Sequence, residues 1–227
     1  MAEKKRQVRG REAALSRDQI VAAAIDLLDR GGEAGLTFKA LAERLATGPG
    51  AIYNHIASKT DLVAAAADAI VADVQRGRLE TGDAEDALRN FALGMFDAID
   101  AHPWVGGALM RVPGQPPLLR ILEAVGQDIR ALGVPAEGEW ASAMAVFNYI
   151  VGVGGQNAAN AQLARAQALD RTEVLTSLAH TWSSLDPVEY PFAQSIGTQL
   201  RTHDDRADFL AGINFIVIGI VASIRAT

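Results

Sequence analysis

The side chains best suited to chemistry lie close together, in a stretch of 23 residues from Thr37 to Lys59 that reads TFKALAERLATGPGAIYNHIASK. The chemistry they offer is recognition of a polyanion rather than bond making. Thr47, Tyr53, His55 and Lys59 can donate hydrogen bonds to phosphate oxygens, while Lys39 and Asn54 can reach base edges, a lysine suiting guanine. Between them Gly48, Pro49, Gly50 and Ala51 carry almost no polar groups, so that part can offer only close backbone approach and apolar contact with thymine methyls.

Two short helices must hold these groups. Phe38, Leu41, Ala42 and Leu45 repeat at helical spacing, Ile52 and Ile56 do so again, and Gly48-Pro49 breaks the pattern between them, which is the spacing of a helix-turn-helix. Thr37 is the expected N-cap of the first helix, Phe38 to Ala46. Pro49 fits a first helical position, where its missing N–H costs nothing, and it pushes Gly48 out of the helical region. Upstream, Ser16 and Gln19 have capping-box spacing for a helix whose buried stripe is Ile20, Ala24, Leu27 and Leu28 and which Gly31-Gly32 should end. Downstream, Ser58 and Asp61 open a long helix reaching Arg76.

A catalytic reading finds no support. His55, His102, His180 and His203 are far apart, cysteine is absent, and Gly152-x-Gly154-Gly155 follows no predicted strand, so no catalytic residue, metal site or cofactor is expected. The absence of cysteine fits a reducing compartment, and the basic N-terminal stretch has no apolar core of a secretory signal, so a cytoplasmic protein is expected. Phe209 to Ile224 is the one membrane-like run; it is shorter than the roughly 20 apolar residues of a span and contains Asn214, so it is expected to be a buried helix. Net charge is −6, but the acidic excess lies downstream: residues 1–62 hold ten Lys and Arg against eight Asp and Glu. A mildly positive module on an acidic body suits a protein that presents one end to DNA.

Hydrophobic residues make up 49% and aromatic ones 6% of the 227 residues, and apolar spacing of three and four recurs throughout, so the fold class expected is all-α. Four segments follow: a basic arm over 1–15, a three-helix DNA-binding domain over 16–62, a connecting helix and linker over 63–82, and a larger helical domain over 83–227. The last should hold helices near 84–101, 104–110, 116–132, 138–166, 170–184, 191–200 and 205–225.

The first 75 or so residues resemble the DNA-binding domain of tetracycline-repressor-type (TetR family) transcriptional regulators. The resemblance rests on Thr37, the Leu41-Ala42 pair, Ile52-Tyr53-Asn54-His55-Ile56 and Ser58-Lys59. It departs in the turn, where the usual Gly-Val-Ser is replaced by Ala46-Thr47-Gly48. The remainder is similar to the ligand-binding and dimerisation domain of that family through His102-Pro103-Trp104, Phe147 to Gly152 and the final helix. The resemblance implies a homodimer that binds a palindromic double-stranded operator, usually as a repressor, and releases it when a small molecule enters the C-terminal domain. From the residue chemistry and the resemblance together, the DNA-binding set expected is Thr37, Lys39, Thr47, Gly48, Pro49, Gly50, Ala51, Tyr53, Asn54, His55 and Lys59.

The residues themselves point the same way for the larger domain. Gly212, Phe215, Ile216, Gly219, Ala222 and Ser223 on the last helix, with Gly152, Gly155 and Ala159 on the helix near 138–166, suit close packing against a second copy. Phe96, Trp104, Met110, Met144, Phe147 and Val151, with Asn148 and Gln156 two turns apart, suit a pocket for a small apolar or amphipathic effector. Asn148, read as a buried amide, must find partners. Two alternatives remain: a dimeric helical small-molecule-binding protein without specific DNA recognition, suggested by the bland Gly48 to Ala51 surface, and an all-helical enzyme.

Overall fold

The computed structural model describes residues 15–78, 83–111 and 116–225, and among them every regular element is a helix. The expected basic arm, with Lys4, Lys5, Arg6, Arg9 and Arg11, lies outside the described residues, as do 79–82 and Pro113. The chain divides into two compact units, Met1–Ala66 and Ala67–Thr227.

The first unit holds α1 (Arg17–Gly35), α2 (Phe38–Arg44), α3 (Pro49–Tyr53) and the start of α4 (Lys59–Arg76). Ser16 and Gln19 close a reciprocal capping box: the Gln19 N–H donates to Ser16 Oγ at 3.1 Å and the Ser16 N–H to Gln19 Oε1 at 2.9 Å. The break expected at Gly31-Gly32 is a kink, not an end. Gly32 takes φ 56°, open to a residue without Cβ, and helical structure resumes to Gly35. Thr37 caps α2 by accepting the Ala40 N–H at 3.0 Å. α2 stops at Arg44, two residues before the expected end, because Ala46 turns left-handed at φ 49°. Ile20, Ala24, Leu28, Leu36, Leu41, Ile52, Ile56 and Leu62 fill the core, all at most 2% exposed. Burial of this stripe, rather than helix propensity, holds a five-residue α3 in place, since so short a helix is unstable alone.

In the second unit α5 (Ala84–Ala101) is the hub, packing against α7 (Pro116–Ala131), α8 (Ala136–Ala166) and α11 (Asp205–Arg225) with Leu88, Phe91, Met95, Phe96 and Ile99 buried. Where α6 (Trp104–Leu109) crosses α8, a Cβ on Gly106 would stand 2.8 Å from the Ala158 Cβ and 3.1 Å from the Gly155 Cα, so the approach needs glycine. α9 (Arg171–Ser183) packs with α10 (Pro191–Ile196) and the 3-10 helix Gly197–Thr202.

Two glycines assigned to a subunit interface prove internal. A Cβ on Gly212 would collide with the Tyr149 ring, and Gly155 faces Gly106, so their close approaches are within one chain. α11 also corrects the buried helix expected over Phe209 to Ile224. By length and composition it could cross a membrane. Its Phe209, Ile213, Val217 and Ile220 side is committed to α5 and α8, while Phe215 and Ile218 are 75% and 60% exposed. The helix is therefore buried on one face only.

Candidate nucleic-acid interface

The polar groups singled out in the sequence emerge on the surface of the first unit. Lys39, Gly48, Pro49, Gly50, Tyr53, Asn54, His55 and Lys59 are exposed, and Thr47 and Ala51 are half-buried. Pro49 and Tyr53 stand four apart on α3, as do Gly50 and the C-cap residue Asn54, and so occupy neighbouring rows of the helix. Gly48 is the N-cap of α3 and contributes no side-chain cap, leaving the leading N–H groups of the helix open. Open N–H groups are an anion's natural contact, yet α3 is short, and the side chains must supply most of any grip.

Tyr53 packs against α2. Its ring stacks on Phe38 of α2, centroids 4.5 Å apart and planes 16° from parallel, while 55% of the residue remains in solvent. The stack fixes the ring and leaves the hydroxyl in water, which suits a hydrogen bond to a phosphate. Sequence spacing marks Phe38 only as a core residue; its aromatic pairing across the turn is what gives it a part in the surface.

Lys59 is also held. Its Nζ donates to the carbonyl oxygen of Glu33 near the end of α1, so this cation is neither loose nor wholly committed, since an ammonium has three donors. Ser58 secures the start of α4: its Oγ accepts the Asp61 N–H at 3.1 Å and donates to Asp61 Oδ2 at 2.9 Å, which replaces the reciprocal half of a capping box. Thr37 spends an oxygen lone pair on its cap, and its hydroxyl proton stays available.

The residues expected to line an effector pocket differ widely in exposure. Phe96, Trp104 and Val151 are buried at 3%, 4% and 8% exposure, with Phe96 stacked on Phe209 at 4.7 Å. Met144 and Phe147 are half-buried. Met110 is 66% exposed, and Asn148 and Gln156 are exposed. Asn148 is therefore not the buried amide the sequence suggested, because the helix turns that face of α8 outward.

The second unit carries charged pairs that sequence spacing does not reveal. Arg120 on α7 forks onto Asp68 on α4, Nε to Oδ1 at 2.9 Å and Nη2 to Oδ2 at 3.1 Å. Arg78, just past α4, donates to Asp128 on α7 and lies 5.0 Å from the centre of the Phe91 ring. Asp128 is 7% exposed and its Oδ2 has no hydrogen-bond partner. Burial pushes its carboxyl above the usual carboxylate range, against the pull of Arg78. A signal for Asp128 itself is present in the chain, since it interrupts the buried stripe Ile121, Ala124, Val125 and Ile129.

Comparison with known proteins gives this geometry a family. The model for bacterial regulatory proteins of the tetR family matches residues 20–66, which contain the helix-turn-helix. A solved transcriptional regulator, a TetR from Streptomyces coelicolor, is 46% identical and superimposes with a TM-score of 0.80 over 92% of this chain and 98% of its own. The chain belongs to the tetR family of bacterial regulatory proteins. This TetR-family chain thus has a helix-turn-helix reader and a helical C-terminal domain, and its class is that of DNA-binding regulators rather than enzymes. The HTH-type transcriptional repressor DrrR1 of Streptomyces coeruleorubidus is 29% identical over 74% of this chain and 61% of that protein. An HTH-type transcriptional regulator of Saccharopolyspora erythraea is 33% identical over 61% of this chain, and the match spans 59% of its length. ActR of Streptomyces coelicolor, solved in complex with actinorhodin, shares the fold at a TM-score of 0.73 and 20% identity, over 93% of this chain and 97% of its own.

Proposed function

We propose that the protein is a homodimeric repressor that binds a palindromic operator and releases it when a small molecule occupies its C-terminal unit. The observation that carries the reading is the exposed set on α2, α3 and the start of α4: Lys39, Tyr53, Asn54, His55 and Lys59 on a reader whose core is otherwise closed. Phosphate contacts fall to Thr37, Thr47, Tyr53, His55 and Lys59. Base contacts fall to Lys39 and Asn54, with Gly48, Pro49, Gly50 and Ala51 close to thymine methyls. That the relative DrrR1 is a transcriptional repressor supports repression.

Dimerisation is supported by glycines that one chain does not explain. A Cβ added to Gly152 on α8 or Gly219 on α11 would meet nothing within 4 Å, so the protomer itself gives no reason for glycine there. Gly152 lies in an exposed row with Ala141, Ala145, Asn148 and Ala159, and Gly219 sits beside exposed Phe215, Ile218 and Ala222. Each interior Gly costs a helix about 1 kcal/mol relative to Ala, a loss that close packing on a second copy offsets. Asn148 then finds its partner across that interface. A two-fold dimer offers two α3 helices to half-sites about 34–36 Å apart. An effector among Phe96, Trp104, Met144, Phe147 and Val151 acts through α4, whose single helix runs from the reader into the second unit.

A mobility-shift titration on the DNA upstream of the protein's own gene, at several stated salt concentrations, tests the reading. A sequence-dependent shift supports it, and uniform binding to all DNA at every salt sinks it. The bland Gly48 to Ala51 head favours a second reading, a dimeric ligand-binding protein without specific recognition. Lys39→Ala separates the two: specific binding relaxes base preference at one position, whereas non-specific binding shows only a shallower salt slope.

A further inference from the structure

The last turn of α4, Arg78 beyond it, α5 and Arg206 of α11 line an open cleft of about 400 Å³ that none of the expected effector residues reach. Its walls are Val74 and Leu93, its polar groups Asn90, Arg78, Arg206 and Asp97. The helices are in contact at its floor, where a Cβ on Gly94 would stand 3.1 Å from Val74 Cγ1. The volume falls in the range of small-ligand pockets, at their lower end.

Two guanidiniums reach this cleft, and each is already paired with a carboxylate, Arg206 with Asp97 in solvent and Arg78 with the buried Asp128. Arg206 forks onto Asp97, Nε to Oδ1 at 2.7 Å and Nη2 to Oδ2 at 3.0 Å. Both side chains are about half in solvent, at 55% and 46% exposure, so the pair contributes little and an incoming anion displaces it cheaply. Arg78 donates through one nitrogen to Asp128 and rests near the Phe91 ring, which orients its plane. A guanidinium has five N–H donors in a fork matched to carboxylates.

We propose that this cleft is a binding site for a small amphipathic carboxylate, whose head takes Arg78 and Arg206 and whose apolar body lies on Val74 and Leu93. Binding draws Arg78 off Asp128. A buried carboxylate left without its cation is unfavourable, so the Asp128 carboxylate accepts a proton from solvent and becomes neutral. The neighbouring charges do not substitute for Arg78. On α7 itself Arg120 is engaged by Asp68, Arg130 by Glu139, and Glu123 by Gln127; α5 presents the uncharged Phe91; the cation that comes from the end of α4 is Arg78. Carboxylate binding is therefore coupled to uptake of a proton, and it loosens a tie between the end of α4 and α7. Any effect on operator affinity rests on the function proposed above; the binding itself does not.

Octanoate is the probe, with 1-octanol as its neutral counterpart, each titrated calorimetrically into the full chain in two buffers of different ionisation enthalpy. Saturable binding of one octanoate per chain with net proton uptake, and no comparable octanol binding, is expected. Arg206→Met, on the exposed rim, should weaken octanoate at least tenfold while leaving the melting temperature unchanged, since it removes a charge-assisted bond to the ligand and only a solvated pair from the protein. Asp97→Asn should tighten binding by freeing Arg206. Asp128→Asn should retain octanoate binding and abolish the proton uptake, a readout that a purely structural role would not move. Equal octanoate affinity in the parent and Arg206→Met, equal binding of octanol, or proton uptake that persists in Asp128→Asn overturns the proposal. If octanoate fails to bind a chain that still shifts operator DNA, this site falls and the regulator reading stands; binding without any operator shift has the opposite meaning.

Discussion

Tyr53 permits the surface and the fold to be probed separately, because its ring and its hydroxyl serve different partners. Tyr53→Phe removes only the hydroxyl. The stack on Phe38 remains, so the melting temperature should not move. If the hydroxyl donates to a phosphate, its removal costs a charge-assisted hydrogen bond of about 1.5–3 kcal/mol per half-site, a factor of about 10 to 150 in operator affinity for each half-site bound. The phenol is neutral and releases no counterion, so the slope of log K against log salt should be unchanged, whereas deleting a lysine that neutralises a phosphate should change it by about 0.9. Tyr53→Ala removes the ring as well. With its centroid 4.5 Å from Phe38 but 55% of the residue in water, the stack is worth about 0.5–1 kcal/mol, toward the lower half of the range for aromatic pairs. That weakening falls on a helix of five residues whose one buried side chain is Ile52, so operator affinity should drop further than in Tyr53→Phe. Fluorescence anisotropy on a labelled operator over a salt series, with thermal melts of the free protein, reads both effects. Parent-like affinity in Tyr53→Phe, or a changed salt slope, would refute the phosphate bond; a parent-like melt for Tyr53→Ala would refute the role of the stack.

Ala46→Gly should raise stability by up to about 1 kcal/mol, because φ 49° strains a residue with a Cβ and suits glycine; a lower melting temperature would count against that account of the turn. Gly152→Leu should leave each chain folded and shift sedimentation toward monomer, since one protomer has room for the side chain and a close-packed partner does not; unchanged dimers would remove α8 from the interface. For Asp128 the folded chain holds the proton more tightly than the unfolded chain, whose carboxyl titrates near 3.8. Stability on this account falls as pH rises from 3.8 through the raised folded value, and is regained on acidification through the same window. Melts of Asp128→Asn against the parent should therefore diverge in favour of the variant as pH rises through that window, and parallel curves would contradict the burial argument.

The helices were legible because their periodicity and caps are local. Ser16 with Gln19, Thr37 before Phe38, and Pro49 after Gly48 each satisfy or dispense with backbone groups within a few residues, so sequence spacing determines them. The charged contacts were not legible in this way. Arg120 meets Asp68, and Arg78 meets Asp128, across gaps of about fifty residues that only packing closes. Asn148 failed for a related reason: spacing places it on a face of α8 but cannot say which face turns toward α5. Gly152 and Gly155 illustrate the same limit, since the two look alike in sequence and only the position of α6 separates an internal contact from an open one.

The lysine at the first residue of α4 reaches back to the carbonyl of Glu33. This joins the end of α1 to the start of the helix that leaves the reader, across the whole length of the helix-turn-helix between them. A twist applied to the start of α4 is then shared with α1 and, through the common core, with α2 and α3. The reader should behave as one rigid cog on its shaft, keeping its own shape while its orientation changes. On the function proposed above, an effector acting on such a part would alter where the two readers of a dimer stand along the DNA, so inducibility would depend on half-site spacing while base preference within each half-site stayed the same.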